Sequence, residues 1–167
     1  MVDLSVGSPV DPVPDSVRKA LGAASNDPNA YGYPVTAGTA DLRSAIAEWF
    51  AAARNVDLTA IDADVVPTVG SKEGVALMAS LLHLGAGDVV VQPKVSYGTQ
   101  LAGAKVLKVD DVADVESWKD VPGVKAVWVN SPCNPTGAVL AAEQMAAIVA
   151  AARGIGAVVL SDECYAL

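Results

Sequence analysis

Three short stretches of this chain carry groups that could hold an anion, fix one amide beside a ligand, and meet a cation. TVGSKEG (68–74) puts a glycine and Ser71 at the start of a helical pattern, where free backbone N–H groups and the helix dipole favour an anion such as phosphate. On this stretch alone an ordinary helix start capped by Ser71 is the better reading, and the anion site gains only in the company of the other two stretches. NSPCNPTG (130–137) follows the apolar run Val127, Trp128, Val129 and contains two prolines, which have no N–H to give to a sheet and push Ser131 and Asn134 out of the helical region. A stiff turn at the end of a buried strand can hold the Asn134 amide still beside a ligand. SDECY (161–165) ends another apolar run on adjacent carboxylates, which need a cation, a metal or solvent. Alternation sends Asp162 to one face and Glu163 to the other. A helix cap is the plainer reading of Asp162.

These stretches need elements to bring them together. Helical spacing predicts helices over Asp15–Ala24, from a Thr39 cap through Leu42, Ile46, Trp49 and Phe50, over Lys72–Leu84, and over Ala141–Arg153 with Gly154 as its stop. Short apolar runs predict strands at Val65–Val69, Asp88–Gln92, Ala104–Val109, Lys125–Asn130 and Ala157–Leu160. Strand, helix, strand implies parallel pairing, hence an α/β three-layer sandwich whose ligands sit beyond the carboxyl ends of the strands. All three polar stretches fall there.

Composition narrows the partners. Eleven basic against nineteen acidic residues give a net charge of -8 without a basic run, which excludes nucleic acid and anionic membrane as expected partners. At 167 residues and 52% hydrophobic, the chain suits one globular domain able to bury about 70% of its unfolded surface. Two cysteines, Cys133 and Cys164, make neither a disulfide framework nor a paired-ligand zinc site, and read as small buried fillers. The single histidine, His83, reads as structural within its helix. With no signal-peptide pattern and no apolar run of membrane length, a cytoplasmic location is expected.

Taken together, YGYPVTAGTADLRSAIAEW (31–49), VGSKEG, NSPCNPTG and SDECY resemble the class I/II aminotransferases, pyridoxal 5'-phosphate enzymes of fold type I, in the order that family has them. VDLSVGSPVDPVP (2–14) and SDECY look most like the succinyldiaminopimelate aminotransferases of lysine biosynthesis. The resemblance implies a cofactor whose ring stores the electrons left on a substrate carbon, best with its nitrogen protonated beside a carboxylate, here Asp162. It assigns the phenolate oxygen to Asn134 and Tyr165, and the phosphate to Ser71 and Lys72. Tyr33 would reach across a homodimer to the partner's phosphate, Tyr97 would stack on the ring, and Gly7 would lie near the substrate carboxylate. The family's loop also implies a cis Asn134-Pro135 bond. An amino acid and a 2-oxo acid would be the substrates.

Two departures accompany the likeness. After Tyr97 the chain passes directly into Gly98, several residues shorter than the family pattern. All seven lysines precede the aspartate motif, so none matches the family's cofactor-bound lysine. The expectation is an N-terminal segment and arm over 1–40 and a partial cofactor-binding domain over 41–167, inactive alone and completed in a longer enzyme. The alternatives are a non-catalytic domain that holds the cofactor or a protein partner, a C–S lyase of the same fold, and an unrelated nucleotide-binding domain. The last lacks both the GxGxxG and GxxxxGK[ST] loops.

Overall fold

Helix α1 (Asp15–Ala24) begins directly after Pro14, whose fixed φ suits a helix entry, and α2 (Ala40–Arg54) begins at Thr39, whose hydroxyl accepts the Leu42 N–H at 3.3 Å. The computed structural model describes residues 7, 10–96 and 101–166, which form two compact units, 1–67 and 68–167. The division expected at 40/41 falls at the first residue of α2, inside the first unit.

In the first unit α2 ends at Asn55 in the left-handed conformation (φ 53°), which a short amide side chain tolerates. Trp49 and Phe50 meet edge to face at 5.1 Å, and the Arg54 guanidinium lies 5.2 Å from the Trp49 ring. Arg43 reaches from α2 to the segment before Pro67, donating to the Val65 carbonyl at 3.2 Å and pairing with Asp64.

The second unit is a four-stranded parallel sheet in the order β2-β1-β3-β4, with β1 Val89–Pro93, β2 Lys105–Val109, β3 Val124–Asn130 and β4 Val158–Asp162. Valine-rich strands suit a sheet covered on both faces. One face carries Val91, Val127 and Val129 against Ile148 and Ala152 of α4 (Ala142–Gly154), with Trp118 filling the edge. The other carries Val90 and Ala126 against Ala79 of α3 (Ser71–Leu81) and Leu84 beyond its end. Helix, sheet, helix is the three-layer α/β arrangement. Trp118 is fully buried, and its indole N–H donates to the Val112 carbonyl at 2.9 Å. Gly123 leads into β3 with φ 83°, and a Cβ there would lie 2.6 Å from the Gly87 carbonyl oxygen, so only glycine fits.

Several expectations are corrected. Val65–Val69 forms no strand: Pro67 interrupts it, and Val66 and Val69 are exposed. Helix α3 stops at Leu81, because His83 turns left-handed (φ 53°) and sends Leu84 back into the core. His83 is therefore exposed and outside the helix. Gly154 is the last residue of α4 rather than its stop, and the left-handed turn comes at Gly156. Cys133 is half-buried and Cys164 exposed, so neither is a buried filler; both are free thiols. No helix among the described residues is long and apolar enough to cross a membrane.

Two outcomes follow from this packing. Trp118→Ala removes the largest fully buried side chain and strands the Val112 carbonyl, so urea denaturation is expected to show a loss of about 3–5 kcal/mol. The Arg43 guanidinium, aided by the Val65 N–H, holds the Asp64 carboxyl below its ordinary range. A lowered folded-state value means that the bridge stabilises above the unfolded carboxylate pKa of about 3.9 and fades as pH falls through the folded value. Thermal midpoints of the wild type and Asp64→Asn, separate at neutral pH, are expected to converge below about pH 4.

Candidate functional site

The start of α3 is built around a residue with no side chain. Gly70 takes φ 78° at the cap position, and a tight turn forms as its N–H donates to the Thr68 carbonyl at 2.9 Å and the Thr68 hydroxyl donates to the Gly70 carbonyl at 3.0 Å. Glu73 reaches back to accept the Val69 N–H at 2.6 Å. The cap is thus Gly70, not Ser71. Ser71 becomes the first helical residue, and its hydroxyl is not used for capping. The backbone N–H groups of Ser71 and Lys72 have no acceptor among the described residues. They form the positive end of the helix dipole with the Lys72 ammonium beside them.

The ends of β3 and β4 are tied together by one amide. Asn130 pairs with Asp162 in register, its Nδ2 donates to the Asp162 carbonyl at 3.0 Å, and its Oδ1 accepts the Asn134 N–H at 2.7 Å. The Ser131 N–H donates to the same Asp162 carbonyl at 3.2 Å. Between Asn130 and Gly137 the chain makes two cis bonds, Ser131-Pro132 and Asn134-Pro135, the second as the resemblance implied. Asn134 then donates through Nδ2 to the Tyr165 hydroxyl oxygen at 3.0 Å. Because that oxygen accepts, its own proton is left to donate elsewhere, and Asn134 Nδ2 keeps a second hydrogen. Two donors therefore stand side by side.

Ser71, Lys72, Asn130, Asn134, Asp162 and Tyr165 line one cavity of about 200 Å³, with Val75 and Cys164 completing it. A smaller recess of about 30 Å³, bordered by Gln92, Trp128 and Asp162, adjoins its floor. Asp162 is half-buried, and its Oδ1 accepts the Cys164 N–H at 3.2 Å. Glu163 points elsewhere and accepts the Ser161 hydroxyl at 2.9 Å, as alternation predicts. Partial desolvation, then the Asp162 carboxylate, push the Cys164 thiol above its usual value, so it stays protonated at neutral pH and is no thiolate nucleophile.

This donor set fits pyridoxal 5'-phosphate. Free N–H groups with Ser71 and Lys72 suit a phosphate, the paired Asn134 and Tyr165 donors suit a phenolate, and the Asp162 carboxylate suits a protonated ring nitrogen. Among the described residues Lys72 is the only lysine on the cavity wall. Five residues singled out from the sequence are thus brought together. Gly7 and Tyr33 belong to the first unit, both exposed, and Tyr97 lies outside the described residues. Sequence reasoning missed Asn130 as a functional residue. Its signal was present: an amide, able to donate and accept, at a strand end where prolines remove backbone donors.

The family model Aminotransferase class I and II matches residues 1–167. The chain is 43% identical to a probable aminotransferase of Mycobacterium tuberculosis, covering 99% of this chain and 39% of that protein. It is 42% identical to the 4-dedimethylamino-4-oxo-anhydrotetracycline transaminase OxyQ of Streptomyces rimosus, covering 99% of this chain and 45% of that one. Its fold superimposes on N-succinyldiaminopimelate aminotransferase from Mycobacterium tuberculosis with a TM-score of 0.80 at 31% identity, over 96% of this chain and 44% of that structure. The chain spans less than half the length of these relatives.

Removing Asn130 tests the bridge. Asn130→Ala leaves the Asn134 N–H without its acceptor, and is expected to cost about 1–3 kcal/mol in urea denaturation and to speed amide exchange at Asn134. Asn130→Asp keeps the acceptor but loses the bond to the Asp162 carbonyl, and is expected to restore protection of Asn134.

Proposed function

The chain belongs to the class I and II aminotransferase family, and from that premise we propose that it serves pyridoxal-phosphate-dependent transfer of an amino group between an amino acid and a 2-oxo acid. The observation that carries this reading is the pair of donors, Asn134 Nδ2 and the Tyr165 hydroxyl, 3.0 Å apart in the cavity that also holds Asp162 and the open start of α3. Pyridoxal phosphate, when bound, supplies a sink for the electrons released at the substrate carbon.

The chain's own residues do the holding. Ser71, Lys72 and their N–H groups bind the phosphate, which fixes one end of the ring. Asn134 and Tyr165 donate to the phenolate oxygen and keep it ionised. The Asp162 carboxylate would keep a proton on the ring nitrogen, and that positive charge would offset the electrons the ring takes up. The register of β3 on β4 sets the separation of these groups.

The finer reading is that the amine is N-succinyldiaminopimelate, in lysine biosynthesis, which the likeness to the Mycobacterium tuberculosis structure supports. The comparably similar Streptomyces transaminase favours a second reading, transamination of a larger polycyclic ketone. We further propose a homodimer in which Tyr33 serves the partner's phosphate, with Gly7 beside the substrate carboxylate and Tyr97 stacked on the ring. A cytoplasmic location suits two cysteines that are both free thiols.

The test is Asp162→Ala in the complete enzyme, of which this chain is proposed to be a part, loaded with pyridoxal phosphate. Because the phosphate anchor lies on other residues, cofactor content read by absorbance is expected to fall little, while kcat for amino-group transfer falls by about 10²–10³ or more. Unchanged kcat in the variant would remove the aspartate, and with it this reading of the site.

A further inference from the structure

One cation near the end of β2 holds three groups of the stretch that closes β1 and leaves its end. Lys108 is paired with Gln92 in the β1–β2 register. Its Nζ donates to Gln92 Oε1 at 2.9 Å, to the Pro93 carbonyl at 3.3 Å and to the Ser96 hydroxyl at 2.7 Å. An ammonium has three donors, and here three acceptors from one five-residue stretch meet them. The stretch matters because Gln92, Pro93 and Ser96 border the recess on whose other side stand Asn130 and Asp162. Gln92 is 3% exposed although polar, so its side chain is built into the border of that recess.

We infer that Lys108 is a positioning residue, which holds the segment Pro93–Ser96 in place and so fixes one wall of the recess that adjoins the cavity. Past Lys94, whose N–H donates to the Val109 carbonyl at 2.8 Å, the described segment makes no further ladder hydrogen bonds with β2. Without such bonds the bend at Val95 and Ser96 depends on side-chain contacts for its position. Charge-assisted hydrogen bonds are the stronger kind. Lys108 itself is exposed, and its ammonium works at the rim rather than in the core. Its removal should therefore loosen the wall without unfolding the sheet. The role beside a cofactor site rests on the proposed function; the anchoring does not.

The experiment compares Lys108→Met, which keeps the apolar stem, with Lys119→Met, whose ammonium pairs instead with Glu116. Hydrogen exchange is followed on the cofactor-free chain. In Lys108→Met the Lys94 amide, whose acceptor is the Val109 carbonyl, is expected to exchange about tenfold faster, with β3 and α4 unchanged. Ser96→Ala should give a smaller change at the same place, Lys108→Arg should recover part of the protection, and Lys119→Met should leave the segment as in wild type. Unchanged exchange at the Lys94 amide, or an equal rise over the whole chain, would overturn the inference. Titration with pyridoxal 5'-phosphate, read by absorbance, is expected to show binding weakened several-fold by Lys108→Met alone; equal affinity in wild type and variant would also overturn it. A wild-type chain that binds no cofactor counts against the proposed function, while local exchange still decides the anchoring.

Discussion

The side chain of Asn130 is the point on which the arrangement at the sheet edge depends. It donates across to the Asp162 carbonyl and accepts from the Asn134 N–H, so one amide fixes both the end of β4 and the far side of the turn that follows β3. A residue of another type could satisfy one of these groups but not both at this spacing. Through the first bond Asp162 is held in register; through the second Asn134 is aimed at Tyr165. The parallel sheet makes this possible, because parallel strands end on the same edge, and β3 and β4 are neighbours there.

The electrostatics of that edge run against those of the chain as a whole. A net charge of -8 repels anions at long range, yet the start of α3 offers the Lys72 ammonium and two N–H groups that have no acceptor among the described residues to an anion at short range. Gly70 makes this possible by occupying the cap position with no side chain, while Glu73 satisfies the Val69 N–H one step earlier. The Asp162 carboxylate lines the same cavity from the end of β4. A molecule with a phosphate at one end and a protonated nitrogen at the other meets an opposite charge at each.

Elements with local causes were legible in the sequence. Proline before α1, threonine before α2 and the apolar spacing within them set the boundaries Asp15 and Ala40, since caps and helical periodicity act over a few residues. The five cavity residues were legible by another route, as short polar stretches at strand ends that match a family's motifs. Errors arose where the outcome depended on distant partners. Val65–Val69 has the residue types of a strand, but a strand exists only by pairing, and Pro67 withholds a donor. Helix α3 had the pattern to continue past Leu81, and stops because burying Leu84 outweighs another half-turn of helix.

The sequence by itself determined which groups are available: the glycine-serine helix start, the proline-locked turn and the paired carboxylates after a valine run, each specified by neighbours within a few positions. Only the tertiary structure decided how they meet. The strand order β2-β1-β3-β4 places β4 against β3 although 27 residues, counted between Asn130 and Val158, separate them along the chain. It also brings Lys108 over the exit of β1, a contact with no local signature. Register between strands is set by burial of alternate side chains on two faces at once, against α3 on one and α4 on the other. That is a property of the packed layers, and no short stretch of sequence contains it.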